Sequence, residues 1–288
     1  MLTQILQQLL NGAMAGTILA VPAIGLTTIF AVLRFPNFAV ASHATIGAFS
    51  GYVANVWFGL PVLPAIVVAF LVAGLVGLAT DEVILKPFRA AGFITTAIGS
   101  IALTIGLENV VRFAFGNELR GYDLPLMRDW RFAGLRVGPQ QVENLAIALA
   151  VMAAIFAFLA FTRAGKAMRA VADNPTLAGI KGINGETIAR TVSFVGMGLA
   201  GLGGMLLGLD TSIDPLTGFR AILSIFAAAV VGGLGSVPGA VVGALVVGIG
   251  EEVSLLILSP NYRSAVGFLA ILLVLTIRPH GILGQRAY

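Results

Sequence analysis

Seven ionisable residues sit within or at the edges of long apolar runs: Asp81, Glu82, Glu108, Arg112, Arg190, Glu251 and Glu252. A charge held in hydrocarbon is costly unless paired, so such residues are candidates either for moving protons or ions or for tying helices together. Spacing favours the second role for most of them. Asp81 and Glu82 precede Lys86 by about one helical turn, which suits a local ion pair rather than a proton relay. Glu108 and Arg112 stand four apart on one helix face, the spacing of an intrahelical pair. Glu251 and Glu252 have no base within a turn of sequence, which points to a water-filled or subunit-facing position; proton-coupled transport would need such carboxylates as carriers. A further polar cluster, Asn37, Ser42, His43 and Thr45, opens an apolar run. There a lone histidine reads more simply as a hydrogen-bonded structural residue than as a shuttle or ligand. His280 lies far off in the C-terminal tail and the chain has no cysteine, so no metal site is expected. No hydrolase motif, dinucleotide fingerprint or GxxxxGKS/T phosphate loop is present, so the chain is read as neither an enzyme nor a nucleotide binder.

The elements that must position these residues follow from composition. With 58% hydrophobic and 10% charged residues and a mean hydropathy of +0.99, the chain is far from the roughly 25% charged residues of an ordinary globular domain. It reads as an all-α, polytopic membrane protein. Thirty-six glycines in apolar sequence suit closely packed helices better than a barrel, whose strands alternate apolar and polar residues. Net charge +4 and a pI near 9.9 reflect basic residues scattered among loops, where they set orientation rather than bind nucleic acid. Arg34 is the first Lys or Arg, so a cleavable signal is not expected and the first segment should stay in the mature protein.

Runs near Ala13 to Leu33, Phe38 to Phe58, Val62 to Leu85, Ile94 to Phe115, Leu145 to Phe161, Ile188 to Leu209, Val237 to Leu258 and Ser264 to Ile277 read as spans. Ile222 to Leu234 is short and ends in Gly232-Gly-Leu-Gly-Ser-Val-Pro-Gly239; it reads as a thin crossing or a re-entrant half-helix. Eight or nine helices are therefore expected in one transmembrane domain over 1–288. With nine crossings and an outward N-terminus, ten of the seventeen Lys and Arg fall inside, Arg34, Lys86, Arg89, Arg278 and Arg286 among them. Two stripes of small residues, Gly196/Ala200/Gly204/Gly208 and Ala240/Ala244/Gly248, mark close helix crossings.

Between two apolar runs lies a basic stretch punctuated by Gly and Pro, Arg163-Ala-Gly-Lys166-Ala-Met-Arg169-Ala-Val-Ala-Asp173-Asn-Pro175 through Gly182-Ile-Asn184. A polar module of this size between spans needs a partner outside the lipid. The stretch resembles the coupling loop of the inner-membrane permeases of branched-chain amino-acid ABC transporters. The likeness continues through Gly25-Leu-Thr-Thr-Ile-Phe, Arg34-Phe-Pro-Asn-Phe-Ala39, Lys86-Pro-Phe-Arg, Glu108-Asn109, Phe226 to Gly239 and Arg278-Pro-His-Gly281. Two departures stand out: Val40-Ala41-Ser42 replace the family's usual His-Gly-Asp, and Glu108 replaces its Gln.

The resemblance implies an ATP-driven importer subunit in the inner (plasma) membrane. Its partners would be a second permease, homologous or identical, two cytoplasmic ABC ATPases and an extracytoplasmic substrate-binding protein. ATP and Mg would be used by the partner ATPases, with no cofactor on this chain. Branched-chain or other hydrophobic amino acids are the expected cargo; urea, amides or another small solute, or a stand-alone secondary carrier, are the alternatives. The ATPase-coupling residues are expected to be Arg163, Lys166, Arg169, Asp173, Pro175, Gly182 and Asn184, within a loop at about 162–187, with apolar contact from Ala170, Ala178 and Ile180. Asn37, Ser42, His43, Glu108 and Asn109 are the expected pathway residues. The outer segments Gly116 to Glu143 and Asp210 to Gly218 are expected to receive the binding protein.

Overall fold

Hydrophobic residues on every face, with a glycine wherever two backbones must meet, specify helices buried in lipid and in one another. The computed structural model describes residues 2–125, 128–132 and 134–284; Arg286 lies outside the described residues. The helices are α1 (Leu2–Leu33), α2 (Val40–Tyr52), α3 (Val62–Thr80), α4 (Lys86–Arg89), α5 (Phe93–Phe115), α6 (Pro139–Phe161), α7 (Arg163–Asp173), α8 (Pro175–Ile180), α9 (Gly185–Asp210), α10 (Thr217–Gly232), α11 (Val237–Ser254) and α12 (Arg263–Ile277). Wider π-helical turns extend α2 through Val53–Trp57 and join α3 to α4 through Asp81–Leu85.

Six of these stretches are long and apolar enough to cross a membrane. Two further apolar helices, α10 and α12, have only 16 and 15 residues. The expected Phe38 to Phe58 span is a 13-residue helix finished by its π turn. The two together are one continuous helix over 40–57; hydropathy windows average composition and do not register where backbone hydrogen bonding changes.

α9 and α1 form the centre: 83% and 78% of their apolar windows are buried, against 28% for α6. Three partners converge on α9, with α3, α2 and α1 all packed along it, while α11 pairs with α1 and α10 with α11. Both small-residue stripes serve these crossings. A Cβ on Gly47 of α2 would overlap the backbone of Gly201, and one on Gly201 would overlap the Cβ of Ala73. A Cβ on Gly248 would lie 2.5 Å from the Cα of Gly16 in α1. Contacts this close let backbones gain dispersion energy that larger side chains would forfeit.

Two features depart from the expectation. α1 begins eleven residues before the expected Ala13, because Gln4, Gln7, Gln8 and Asn11 lower the hydropathy of a stretch that is nonetheless helical. The all-α reading also omits an antiparallel hairpin, β1 (Trp130–Phe132) with β2 (Leu135–Val137), in the loop before α6. Gln7 explains both: its Nε2 donates to the Arg136 carbonyl and its Oε1 accepts from the Arg136 amide, each at 2.8 Å, so α1 holds the hairpin.

Candidate functional site

The basic stretch folds as a two-helix elbow whose corners are set by capping residues. Thr162 ends α6 and starts α7: its Oγ1 donates to the Phe158 carbonyl (2.7 Å) and accepts from the Gly165 amide (3.0 Å). A Cβ on Gly165 would lie 2.5 Å from the Cα of Leu159, so α7 folds tightly back under α6. Gly165, Met168 and Val171 turn inward, while Arg163, Lys166, Arg169 and Asp173 are exposed. Arg34, at the end of α1, donates to the Ala172 carbonyl and ties the elbow to the central helix.

Asn174 caps α8 by accepting from the Leu177 amide (2.9 Å), with Pro175 in the first turn where no amide donor is needed. Gly182, at φ +83°, ends α8 in a conformation that disfavours any Cβ. Asn184 then caps α9, accepting from Glu186 (2.9 Å) and Thr187 (3.2 Å). All seven expected coupling residues thus lie on the elbow, four of them as outward charges and Pro175, Gly182 and Asn184 as its corners. The expected apolar contact is partly misplaced. Ala178 is buried and Ala170 half-buried within this chain, whereas Ile180 (77% exposed) and Leu177 (54%) offer free apolar surface.

The foot of α9 is bound to α3 and α4 by charge. Glu82 meets Lys86 at 2.9 Å and Arg190 at 3.1 Å; Glu186 meets Arg190 at 2.9 Å and also pairs with Lys86. The local Glu82–Lys86 pair is the one spacing implied. Asp81 instead pairs with Arg89 and accepts from Ser193 Oγ at 2.8 Å. That partner set suits its burial, since a buried carboxylate needs both a counter-charge and hydrogen bonds.

The five expected pathway residues do not gather in one place. Asn37, Ser42 and His43 are 1%, 3% and 0% exposed at the packed start of α2. Asn37 accepts from the Ala39 amide (3.0 Å), and Ser42 donates to the Ala39 carbonyl (2.9 Å). His43 Nδ1 donates to that same carbonyl (2.6 Å), while Nε2 meets the Thr80 hydroxyl at 3.3 Å. This is a self-satisfied knot that fixes the turn between α1 and α2. Glu108 lies farther along α5, paired with Arg112 at 2.6 Å, and Asn109 is exposed with its amide bound to the Ile105 carbonyl at 2.8 Å.

Comparison with known proteins decides the family. The family described as the permease component of the branched-chain amino acid transport system matches residues 8–275. The chain belongs to this family. It is 30% identical to the high-affinity branched-chain amino acid transport system permease protein BraD of Pseudomonas aeruginosa, over 97% of this chain and 96% of the relative. It is 31% identical to LivH of Escherichia coli K12 over the same shares. To the probable branched-chain amino acid transport permease protein LivH of Methanocaldococcus jannaschii it is 30% identical, over 96% of this chain and 92% of the relative.

In this permease, motifs distant in sequence complete one another. The glycine-rich end of α10 receives the chain after α12: Ile282 and Leu283 donate to the carbonyls of Val231 and Gly232, each at 2.9 Å. Gly233, at φ +109°, and Gly281 pack face to face there, which accounts for glycine in both the Gly232 to Gly239 stretch and the Arg278-Pro-His-Gly281 stretch. Glu251 and Glu252, for which no local base was found in sequence, share Arg263. Its Nε lies 3.4 Å from Glu251 and its Nη2 pairs with Glu252, while Ser224 donates to Glu251 at 2.6 Å. Both carboxylates are thus buried beside a counter-charge supplied from the start of α12.

Sequence reasoning also missed a latch in the loop after α5. Arg120 and Ile213 exchange backbone hydrogen bonds at 2.8 Å, joining the two segments expected to meet a binding protein. Tyr122 donates to the Ala48 carbonyl (2.8 Å), and Asn55 accepts from the Asp123 amide (2.8 Å). Burial pushes the Tyr122 phenol well above its ordinary range, so it remains a neutral donor at physiological pH. Arg120 lies 5.7 Å over the Tyr52 ring. The only sequence signal for this latch was its mixture of aromatic and charged residues, which is common to many loops.

Proposed function

We propose that this permease is the membrane subunit of an ATP-driven ABC importer of branched-chain or other hydrophobic amino acids in the inner (plasma) membrane. The observation that carries the reading is the α7–α8 elbow, a capped and outwardly charged module between two apolar helices, with Leu177 and Ile180 left exposed. Such a surface suits insertion into a groove of an ATPase. The elbow, within a single domain over 1–288, would lie on the cytoplasmic side at about 162–187. Arg163, Lys166, Arg169 and Asp173 would dock it, and Pro175, Gly182 and Asn184 would keep its shape. Closure of two ATPases on ATP and Mg would push the elbow, and the link from Arg34 together with the Glu82–Arg190 network would carry the push into α1 and α3. Alternating access then follows as a shift between inward and outward states biased by ATP-dependent contacts. This chain would bind no nucleotide or metal of its own.

With α2, α10 and α12 completing short crossings against protein, eight or nine spans result and the N-terminus lies outside. Short crossings are tolerated where protein covers the freed backbone groups. A second permease, homologous or identical, would complete the pathway. The outer segments 116–143 and 210–218, joined through Arg120 and Ile213, would receive the soluble receptor. Cargo would pass the α5 face bearing Glu108 and Asn109, with Asn37, Ser42 and His43 supporting it from behind. Val40, Ala41 and Ser42 are buried in helix packing at the start of α2.

The test is uptake of radiolabelled leucine, isoleucine and valine by proteoliposomes carrying the co-purified complex, with and without ATP. ATP-dependent uptake that disappears on charge reversal at Arg163, Lys166 and Arg169 is the expected result. Equal uptake by this polypeptide alone in ATP-free vesicles would replace the importer with a stand-alone carrier.

A further inference from the structure

The motif Arg34-Phe-Pro-Asn-Phe-Ala39 joins α1 to α2, and the structure gives it more partners than a simple connection needs. It opens on Arg34, whose φ of +58° makes it the one non-glycine residue with a left-handed backbone among the described residues. A Cβ disfavours that conformation, and residues held in it collect at switch regions, where their surroundings over-determine them. Here the guanidinium is anchored on the carbonyl of Ala172, in the last turn of α7. A cation suits that helix end, where the dipole is negative. The turn that follows is stiff. Phe35 and Asn37 are 2% and 1% exposed, the ring of Pro36 fixes its φ, and Asn37 Oδ1 holds the Ala39 amide at 3.0 Å.

Phe38 then reaches two more helices. Its amide donates to Ser100 Oγ of α5 at 3.0 Å, and its ring stacks on Phe226 of α10, with centroids 4.6 Å apart and planes 12° from parallel. Ser100 is fully buried and donates in turn to the Ala97 carbonyl at 2.7 Å, so its hydroxyl is held from both sides. Among the described residues, α7, α5 and α10 do not pack along one another. One short turn therefore connects the elbow with two helices that run apart from it.

We propose that residues 34–39 form a rigid joint that passes displacement of the elbow to α10 and α5, with Arg34 gripping α7 and Phe38 bearing on Phe226. A stiff turn moves as a body, so a shift at its Ala172 end appears at Phe38 or breaks a contact there. Packed contacts are bistable rather than continuously deformable, which turns a small displacement into a change of state. Arg34 and Phe38 are thus positioning residues that act without touching cargo. The assignment extends the reading that ATPases push the elbow, and rests on it.

The experiment uses the reconstituted complex with its ATPases and soluble receptor, and reads leucine moved per ATP hydrolysed. Arg34→Gln and Phe38→Ala are each expected to lower that ratio by about tenfold, within the range usual for coupling between two sites, while the ATPases still co-purify. Arg34→Lys, which keeps a cationic donor, restores most of it. The double variant falls no further than the worse single one, because both act on one joint. The chain has no cysteine, so pairs of spin labels can be placed on introduced cysteines at exposed positions. In the parent, ATP shifts the distances from Leu149 on α6 to Lys181 on the elbow and to Leu223 on α10; in Arg34→Gln the first shift remains and the second is lost. An unchanged ratio in both single variants would overturn the joint, as would loss of the ATPases from Arg34→Gln, which would make Arg34 a docking residue. A lowered Tm with the ratio intact would also overturn it, leaving the turn a purely structural one. A parent complex in which ATP moves no leucine would instead remove the functional reading on which the joint rests.

Discussion

Replacing Arg263 with leucine should expose how the bundle tolerates two adjacent carboxylates. The side chains of Glu251 and Glu252 are 7% and 11% exposed, and Arg263, at 43%, is the base that faces both. Losing one partner of a fully buried ion pair costs about 3–5 kcal/mol, because the remaining charge stays desolvated. Arg263 is itself only partly buried, which lowers the expected loss here to about 2–3 kcal/mol. For a chain of 288 residues that corresponds to a fall in Tm of ~3–5 °C. Purified protein in detergent, heated and then measured by size-exclusion chromatography, would read it. The informative comparison is the triple variant Arg263→Leu, Glu251→Gln, Glu252→Gln, which removes the stranded charges while leaving an amide to meet Ser224; most of the lost Tm should return. Arg263→Lys should fall between, since an ammonium lacks the fork that reaches both carboxylates. If the triple variant melts no higher than Arg263→Leu, the loss does not come from uncompensated charge and the electrostatic account is wrong.

Three further outcomes are expected. Reversing Arg163, Lys166 and Arg169 to glutamate should leave the melting temperature near that of the parent, because all three are exposed, yet abolish ATPase co-purification; Met168→Asp, aimed into the core, should do the opposite and lower Tm first. Gly201→Ala forces a methyl into Ala73 at the crossing of α9 and α3, and should cost about 1–3 kcal/mol by thermal melting, whereas Gly182→Ala, facing open space but held at positive φ, should cost about 1 kcal/mol. Alanine at Asn37, Ser42 and His43 together should lower stability without changing the order of substrate preference in uptake assays. A changed preference would return those residues to the pathway.

Composition and local order were enough for the membrane class, the helical architecture, the basic stretch punctuated by Gly and Pro and the two stripes of small residues, because each depends on neighbours within a turn or two. Hydropathy reports whether a segment prefers lipid, and Thr162, Asn174, Pro175 and Asn184 act on amides next to them in the chain. The (i, i+4) pairs Glu82–Lys86 and Glu108–Arg112 were legible for the same reason. What only the tertiary structure decided were the meetings of residues distant in sequence: Arg263 with Glu251 and Glu252, Asp81 with Ser193, Arg120 with Ile213, and Gly233 with Gly281. It also decided that Asn37, Ser42 and His43 are sealed while Asn109 stays exposed. An apolar helix carries almost no amphipathic signal to say which face meets protein and which meets lipid, so those choices rest on backbone approach and charge pairing between elements that only the assembled bundle brings together.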